Sequence, residues 1–120
     1  MNEIIESKVR DIASAIRLKQ ISAKEVTLIF LDKIKVINPK INAIIFDNAE
    51  AALKQAERAD LALASGEEPG KLFGVPMTIK DSLNTFDTIT TWGTIGRKDF
   101  RPSRDATCSA RLRQEGAILL

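Results

Sequence analysis

Proton transfer in this chain has few side chains to draw on. Its 120 residues hold no histidine, no tyrosine and one cysteine, Cys108. Zinc sites of the usual kind, Ser-His-Asp triads and Cys-His pairs are therefore excluded within it, and no internal disulfide can form. Acid–base work falls to lysine, aspartate, glutamate or Cys108. Lys80 stands out by its setting. Val75, Met77 and Ile79 precede it at alternate positions, as in a strand running through a buried region, and Asp81 follows. An amine accepts a proton only when neutral, and an apolar surround favours that form. The spacing sets Lys80 at the tip of a buried strand, with alternation turning Asp81 to the other face. Residue types alone favour the plainer reading, a strand-end lysine that snorkels to solvent or pairs with a carboxylate. Asp81 reads as an acceptor for backbone N–H groups. Cys108, four residues before Leu112, reads as a small buried hydrophobe. Trp92 reads as a core or lid aromatic. Arg101, Arg104, Arg111 and Arg113 read as a solvated helix face.

The elements that must carry these residues can be read from spacing. Ile5, Val9, Ile12 and Ile16 step by one helical turn, which predicts a helix over 3–19. Ser22 and Glu25 have capping-box spacing and open a second helix, predicted over 23–37 and ending before Pro39. Residues 43–46, β-branched and aromatic, predict a short buried strand. Asn48 is expected to cap a third helix whose small-residue face is Ala52, Ala56, Ala59 and Leu63, with Gly66 as its stop. A glycine-rich loop leads to a strand over 75–79. Residues 82–102 show no period and read as a long excursion. Asp105 is expected to cap a last helix over 106–115, with Gly116 as its stop. Residues 117–120 then begin a second strand.

Strand, long connection, helix and strand make a crossover unit, which implies a parallel sheet covered on both faces. The last residues, Ala117-Ile118-Leu119-Leu120, are apolar with no polar turn after them. A buried strand closing on a bare carboxylate is costly, so Leu120 is expected to be a truncation point. The formal net charge is only +2, with basic and acidic residues interleaved, so no basic stripe argues for nucleic acid. No apolar run reaches membrane-spanning length, and the first ten residues lack the pattern of a secretory signal. The expectation is a cytoplasmic protein.

Three stretches in order resemble the amidase signature family. Gly74-Val75-Pro76-Met77-Thr78-Ile79-Lys80-Asp81 is similar to the family's strand that delivers a catalytic lysine. Thr90-Thr91-Trp92-Gly93-Thr94 resembles its Thr-Thr-x-Gly-Ser, with Thr94 in place of serine. Asp105-Ala106, Leu112-Arg113 and Gly116-Ala117 resemble its next helix and strand. Ser82 departs from the asparagine common after Lys-Asp. The family's Gly/Ser-rich signature, with its bridging and nucleophilic serines, does not occur in these residues.

The resemblance implies an α/β fold, with N-terminal helices followed by the start of a mixed or parallel sheet, incomplete here. Residues 1–66 would be the helical part and 67–120 the start of the catalytic core of a single amidase domain. It implies hydrolysis of a carbon–nitrogen amide bond by a Ser-cisSer-Lys mechanism with Lys80 as the base, a small-molecule amide as substrate in the full-length protein, and no cofactor or metal. This chain alone is expected to be inactive, because both serines are missing. The A subunit of a tRNA-dependent (glutamyl/aspartyl) amidotransferase resembles these amidases along the same stretch. A non-catalytic helical interaction module is the third reading. Members of the family commonly pair through N-terminal helices, which makes residues 4–37 the candidate surface for a homodimer. No membrane contact is implied.

Overall fold

The computed structural model describes residues 2–67 and 70–120. The sequence-predicted loop at Glu68 and Pro69 lies outside them. Among the described residues, five α-helices and two short strands follow in the order α1 (Asn2–Glu6), α2 (Val9–Arg17), α3 (Ala23–Ile41), α4 (Ala49–Ala64), β1 (Pro76–Met77), α5 (Thr107–Gln114) and β2 (Ile118–Leu119). The first helix of the sequence reading is in fact two. Ser7 Oγ donates to the carbonyl of Glu3 at 2.6 Å, a local bond that competes with the helical ladder, and Lys8 is extended. Ile12, Ala13 and Ile16 of α2 face the core, while Val9 is exposed.

The capping box of α3 forms as its spacing requires. Glu25 N donates to Ser22 Oγ at 3.0 Å, and Ser22 N donates to Glu25 Oε2 at 2.9 Å. Asp60 of α4 adds a second cap, accepting from the amides of Ala23 at 2.7 Å and Lys24 at 3.1 Å. The helix does not stop before Pro39; it runs one turn further to Ile41. Asn42 then takes a left-handed conformation as C-cap and donates its N–H to the Asn38 carbonyl at 2.7 Å. A proline so near the end of a helix loses a single ladder bond, which the αL cap offsets.

Residues 43–46 form no strand. The Asn38 side chain clasps them instead, accepting from Ile44 N at 2.8 Å and donating to Ile44 O at 2.9 Å. Helix α4 packs Ala52 and Ala56, both fully buried, against α3, so its small-residue face serves close helix approach. Asn48 stands at its N-cap but does not cap it. Asp47 Oδ1 accepts from Ala49 N at 2.9 Å, and Asn48 Nδ2 donates to the Leu119 carbonyl at 2.8 Å, tying α4 to β2.

The two strands pair in parallel, with Pro76 opposite Ile118 and Met77 opposite Leu119. The pairing is the crossover expected from strand, long connection, helix and strand. Both strands are two residues long, so β1 is shorter than the 75–79 read from the sequence. Backbone bonds extend the contact upstream: Leu72 N donates to Glu115 O, and Gly74 N to Gly116 O. Gly116 has φ +87°, and a β-carbon there would sit 2.8 Å from the Phe73 Cα, so both the helix stop and the close approach require glycine. Val75, Ile118 and Leu120 join Ile12, Ile16, Ala23, Val26 and Leu31 in one buried cluster. Among the described residues no helix is long and apolar enough to cross a membrane.

Candidate active site

Beyond the carboxyl ends of β1 and β2 lies a groove of about 540 Å³, lined by residues 43–46, 78–81 and 119–120 and by the excursion at Leu83, Thr85 and 88–90. Ligands of parallel sheets bind at this end of the strands. Lys80 sits on its wall with Ile79, Ile44 and Leu119. The lysine is exposed, so the dry setting read from the sequence does not arise within these residues. The reason is the shortness of β1. The strand ends at Met77, and Lys80 rides the turn that follows, its carbonyl accepting from Leu83 N at 2.9 Å.

Asp81 is engaged elsewhere. Its carboxylate accepts the Thr91 amide at 2.7 Å and, in a short bond, the Thr91 hydroxyl. Trp92 N donates to the Asp81 carbonyl at 3.1 Å, and Gly93 N donates to Thr91 Oγ1 at 3.0 Å. Asp81 is thus the backbone acceptor its position suggested. Thr90 is buried beneath this turn, and its amide donates to the Phe100 carbonyl at 2.9 Å. Thr94 is exposed and precedes a 3₁₀ turn at Ile95–Arg97. Trp92 is neither core nor buried lid; 57% of its surface is exposed. The Arg97 guanidinium lies between the Trp92 and Phe100 rings, 3.9 and 3.8 Å from their centroids, and holds the outer loop together.

The excursion is fastened at its base by residues with other expected roles. Asp105 does not cap α5, whose N-cap is Ala106 with no side-chain bond. It accepts from Phe86 N at 2.7 Å and pairs with Arg113 at 3.4 Å, while Arg113 also donates to the Phe86 carbonyl at 2.9 Å. Arg113 is therefore a loop anchor, not part of a solvated face; Arg101, Arg104 and Arg111 are exposed. Cys108 is exposed too, because α5 turns Ser109 to the interior in its place. Sequence reasoning missed the bond between Asp81 and Thr91, since partners ten residues apart across an aperiodic loop leave no spacing to read.

A model of the amidase family matches residues 25–120. The chain belongs to the amidase signature family. Its sequence is 42% identical over 110 residues to the A subunit of the glutamyl-tRNA(Gln) amidotransferase of Bdellovibrio bacteriovorus, covering 92% of this chain and 22% of that protein. Its fold matches a bacterial aryl acylamidase of the amidase signature enzymes with a TM-score of 0.88 at 28% identity, over 95% of this chain and 24% of the other. It also matches the native peptide amidase of Stenotrophomonas maltophilia, with a TM-score of 0.87 at 29% identity over 96% and 24%. The chain spans about a quarter of the length of these proteins. The fold is accordingly the α/β fold of the amidase signature enzymes, of which the helices and the β1–β2 pair are one part.

The Asp81 carboxyl of this amidase-signature chain lies below the usual carboxylate range. Burial pushes it up, but the Thr91 hydroxyl, the Thr91 and Gly93 amides and the Lys80 charge together hold it down. A depressed carboxylate stabilises the folded state at pH above its unfolded value, near 3.9, and that contribution fades as pH falls through the folded value. The Thr91 amide resonance should therefore shift in an acid titration at a pH below 3.9, ahead of global unfolding. Asp81→Asn should remove that step, and a step that persists in the variant would assign it to another group.

Proposed function

We propose that this chain supplies Lys80 as the base of a Ser-cisSer-Lys amidase, acting in a protein of the relatives' full length to hydrolyse the carbon–nitrogen bond of a small amide. The observation that carries this reading is Lys80 on the wall of a groove at the carboxyl end of two parallel strands, with the neighbouring carboxylate turned to Thr91 and so not pairing off the groove. The neutral amine takes the proton of the bridging serine as that serine takes the proton of the nucleophile. The nucleophilic oxygen bonds to the amide carbon, and backbone N–H groups hold the oxyanion. The carbon–nitrogen bond breaks, the amine leaves with a proton, and water releases the acid from the acyl-enzyme. Both serines belong to the part of the family that these residues do not include.

Lys80 is exposed here, and Ile44, Ile79 and Leu119 line the same groove. The remainder of a full-length protein would close the other side and exclude water. The test is single-turnover labelling by a serine-directed fluorophosphonate. A full-length wild-type protein should label at one serine, Lys80→Met should label much more slowly, and residues 1–120 alone should not label. Equal labelling rates with and without the lysine would disconnect it from nucleophile activation.

The amidotransferase component is a second reading, favoured by the Bdellovibrio relative at 42% identity. It calls on the same lysine and the same groove. Release of ammonia from glutamine that rises when partner subunits are added would select it over a free-standing amidase.

A further inference from the structure

The base of a proton relay must be held as well as uncharged. Lys80 has a long, exposed side chain on a turn, not on a strand, and nothing in β1 fixes that turn beyond Met77. Its neighbour is fixed three times over. The Asp81 carboxylate takes two bonds from Thr91, and the Asp81 carbonyl takes one from Trp92 N. On the far side of the clamp Gly93 N holds the Thr91 hydroxyl oxygen, so the hydroxyl proton points to Asp81. Trp92 holds a left-handed φ of +55° there, followed by Gly93 at φ +72°. A non-glycine residue in this region persists only when its surroundings determine it. The Arg97 stack and the Thr90–Phe100 bond hold the same turn from outside.

We infer that Asp81 is the positioning residue of Lys80: through the Thr91 amide and hydroxyl it pins the lysine-bearing turn to the 90–93 turn and so fixes where the amine can reach in the groove. This rests on the reading of Lys80 as base. Asp81 touches no reacting atom. Its carboxylate is bonded by Thr91, and beyond the charge it presents to Lys80 it acts through the backbone that the two residues share. A base displaced by about 1 Å can cost on the order of 100-fold in rate without weakening substrate binding.

The test is a set of cycles on amide turnover by a protein of the relatives' full length, with thermal melting to confirm folding. Asp81→Asn should lower kcat by about 10- to 100-fold with KM nearly unchanged. Thr91→Val should do the same from the other end of the clamp, and Thr91→Ser, which keeps the hydroxyl, should recover most of that loss. Asp81→Asn combined with Thr91→Val should be no slower than the worse single variant, because both break one device. Adding Asp81→Asn to Lys80→Ala should cost nothing more. The inference is overturned if Asp81→Asn and Thr91→Val both keep wild-type kcat, or if Asp81→Asn costs the same factor with and without Lys80. An active Lys80→Ala protein would overturn the base reading itself, and the positioning role with it. An inactive Lys80→Ala beside a fully active Asp81→Asn removes the positioning role alone. If Asp81→Asn does not fold, the Val and Ser variants at Thr91 decide the question.

Discussion

Lys80→Ala in a protein of the relatives' full length should lose amide turnover by about 10³-fold or more while its circular dichroism stays that of the wild type. The size follows from what is removed. General-base catalysis contributes on the order of 10²–10⁴-fold, and here the base also activates the nucleophile through the bridging serine, so no parallel route restores the first step. The intact fold follows from where the side chain lies. Lys80 is exposed on the groove wall, its backbone carbonyl makes the turn bond to Leu83 N, and that bond survives truncation at the β-carbon. Surface substitutions of this kind shift stability by roughly 0.5 kcal/mol or less. Steady-state turnover of a simple primary amide, read beside far-ultraviolet dichroism, separates the two effects. A Lys80→Ala protein that keeps most of the wild-type rate would take this residue out of the mechanism. One that loses its helical signal would show that the lysine has a structural duty the groove does not suggest.

What could be read in the sequence were the features fixed within a few residues of themselves. The capping box at Ser22 and Glu25 depends on three-residue spacing and forms as read. Gly66 and Gly116 end their helices with positive φ, a conformation that residue type alone announces. The parallel pairing of β1 and β2 followed from a strand, a long connection and a helix, because only a crossover joins parallel neighbours. The family could be read for a different reason: its three motifs occur in order.

What stayed hidden depends on partners far apart in the chain. Ile44 and Phe46 look like strand residues, but no strand among the described residues pairs with them, and Asn38 claims the Ile44 backbone. Asp105 has the type and place of a helix cap, yet Phe86 N and Arg113 reach it from other parts of the excursion. The alternation Val75, Met77, Ile79 suggested a strand reaching to Lys80. Pairing stops at Met77, and the lysine's exposure follows from that. The Lys80-Asp81 motif was therefore legible, whereas the geometry around it depends on Thr91, which no local pattern links to Asp81.

Gly74→Val should damage the fold of this chain heavily. Gly74 has φ +74°, where a β-branched residue is strained by about 1–3 kcal/mol on backbone grounds alone. Space adds to that cost. A β-carbon at Gly74 would lie 2.9 Å from the Ala23 Cβ and 3.2 Å from two carbons of Ile16. Ala23 and Ile16 are both fully buried in the cluster that joins the helices to β1, so neither can turn outward. Overpacking of that kind costs about 1–3 kcal/mol more. The bond from Gly74 N to Gly116 O, which brings the chain into register with β2, is lost if the backbone moves to relieve the clash. Gly66→Val is the control, since Gly66 has φ +87° but nothing within 4 Å of the β-carbon position. Urea unfolding of the two variants beside wild type should show Gly66→Val losing only the conformational cost and Gly74→Val losing roughly 2–3 kcal/mol more than that. Equal losses would mean that the helices and β1 separate easily at this point, and that the groove carrying Lys80 is held from β2 and the excursion alone.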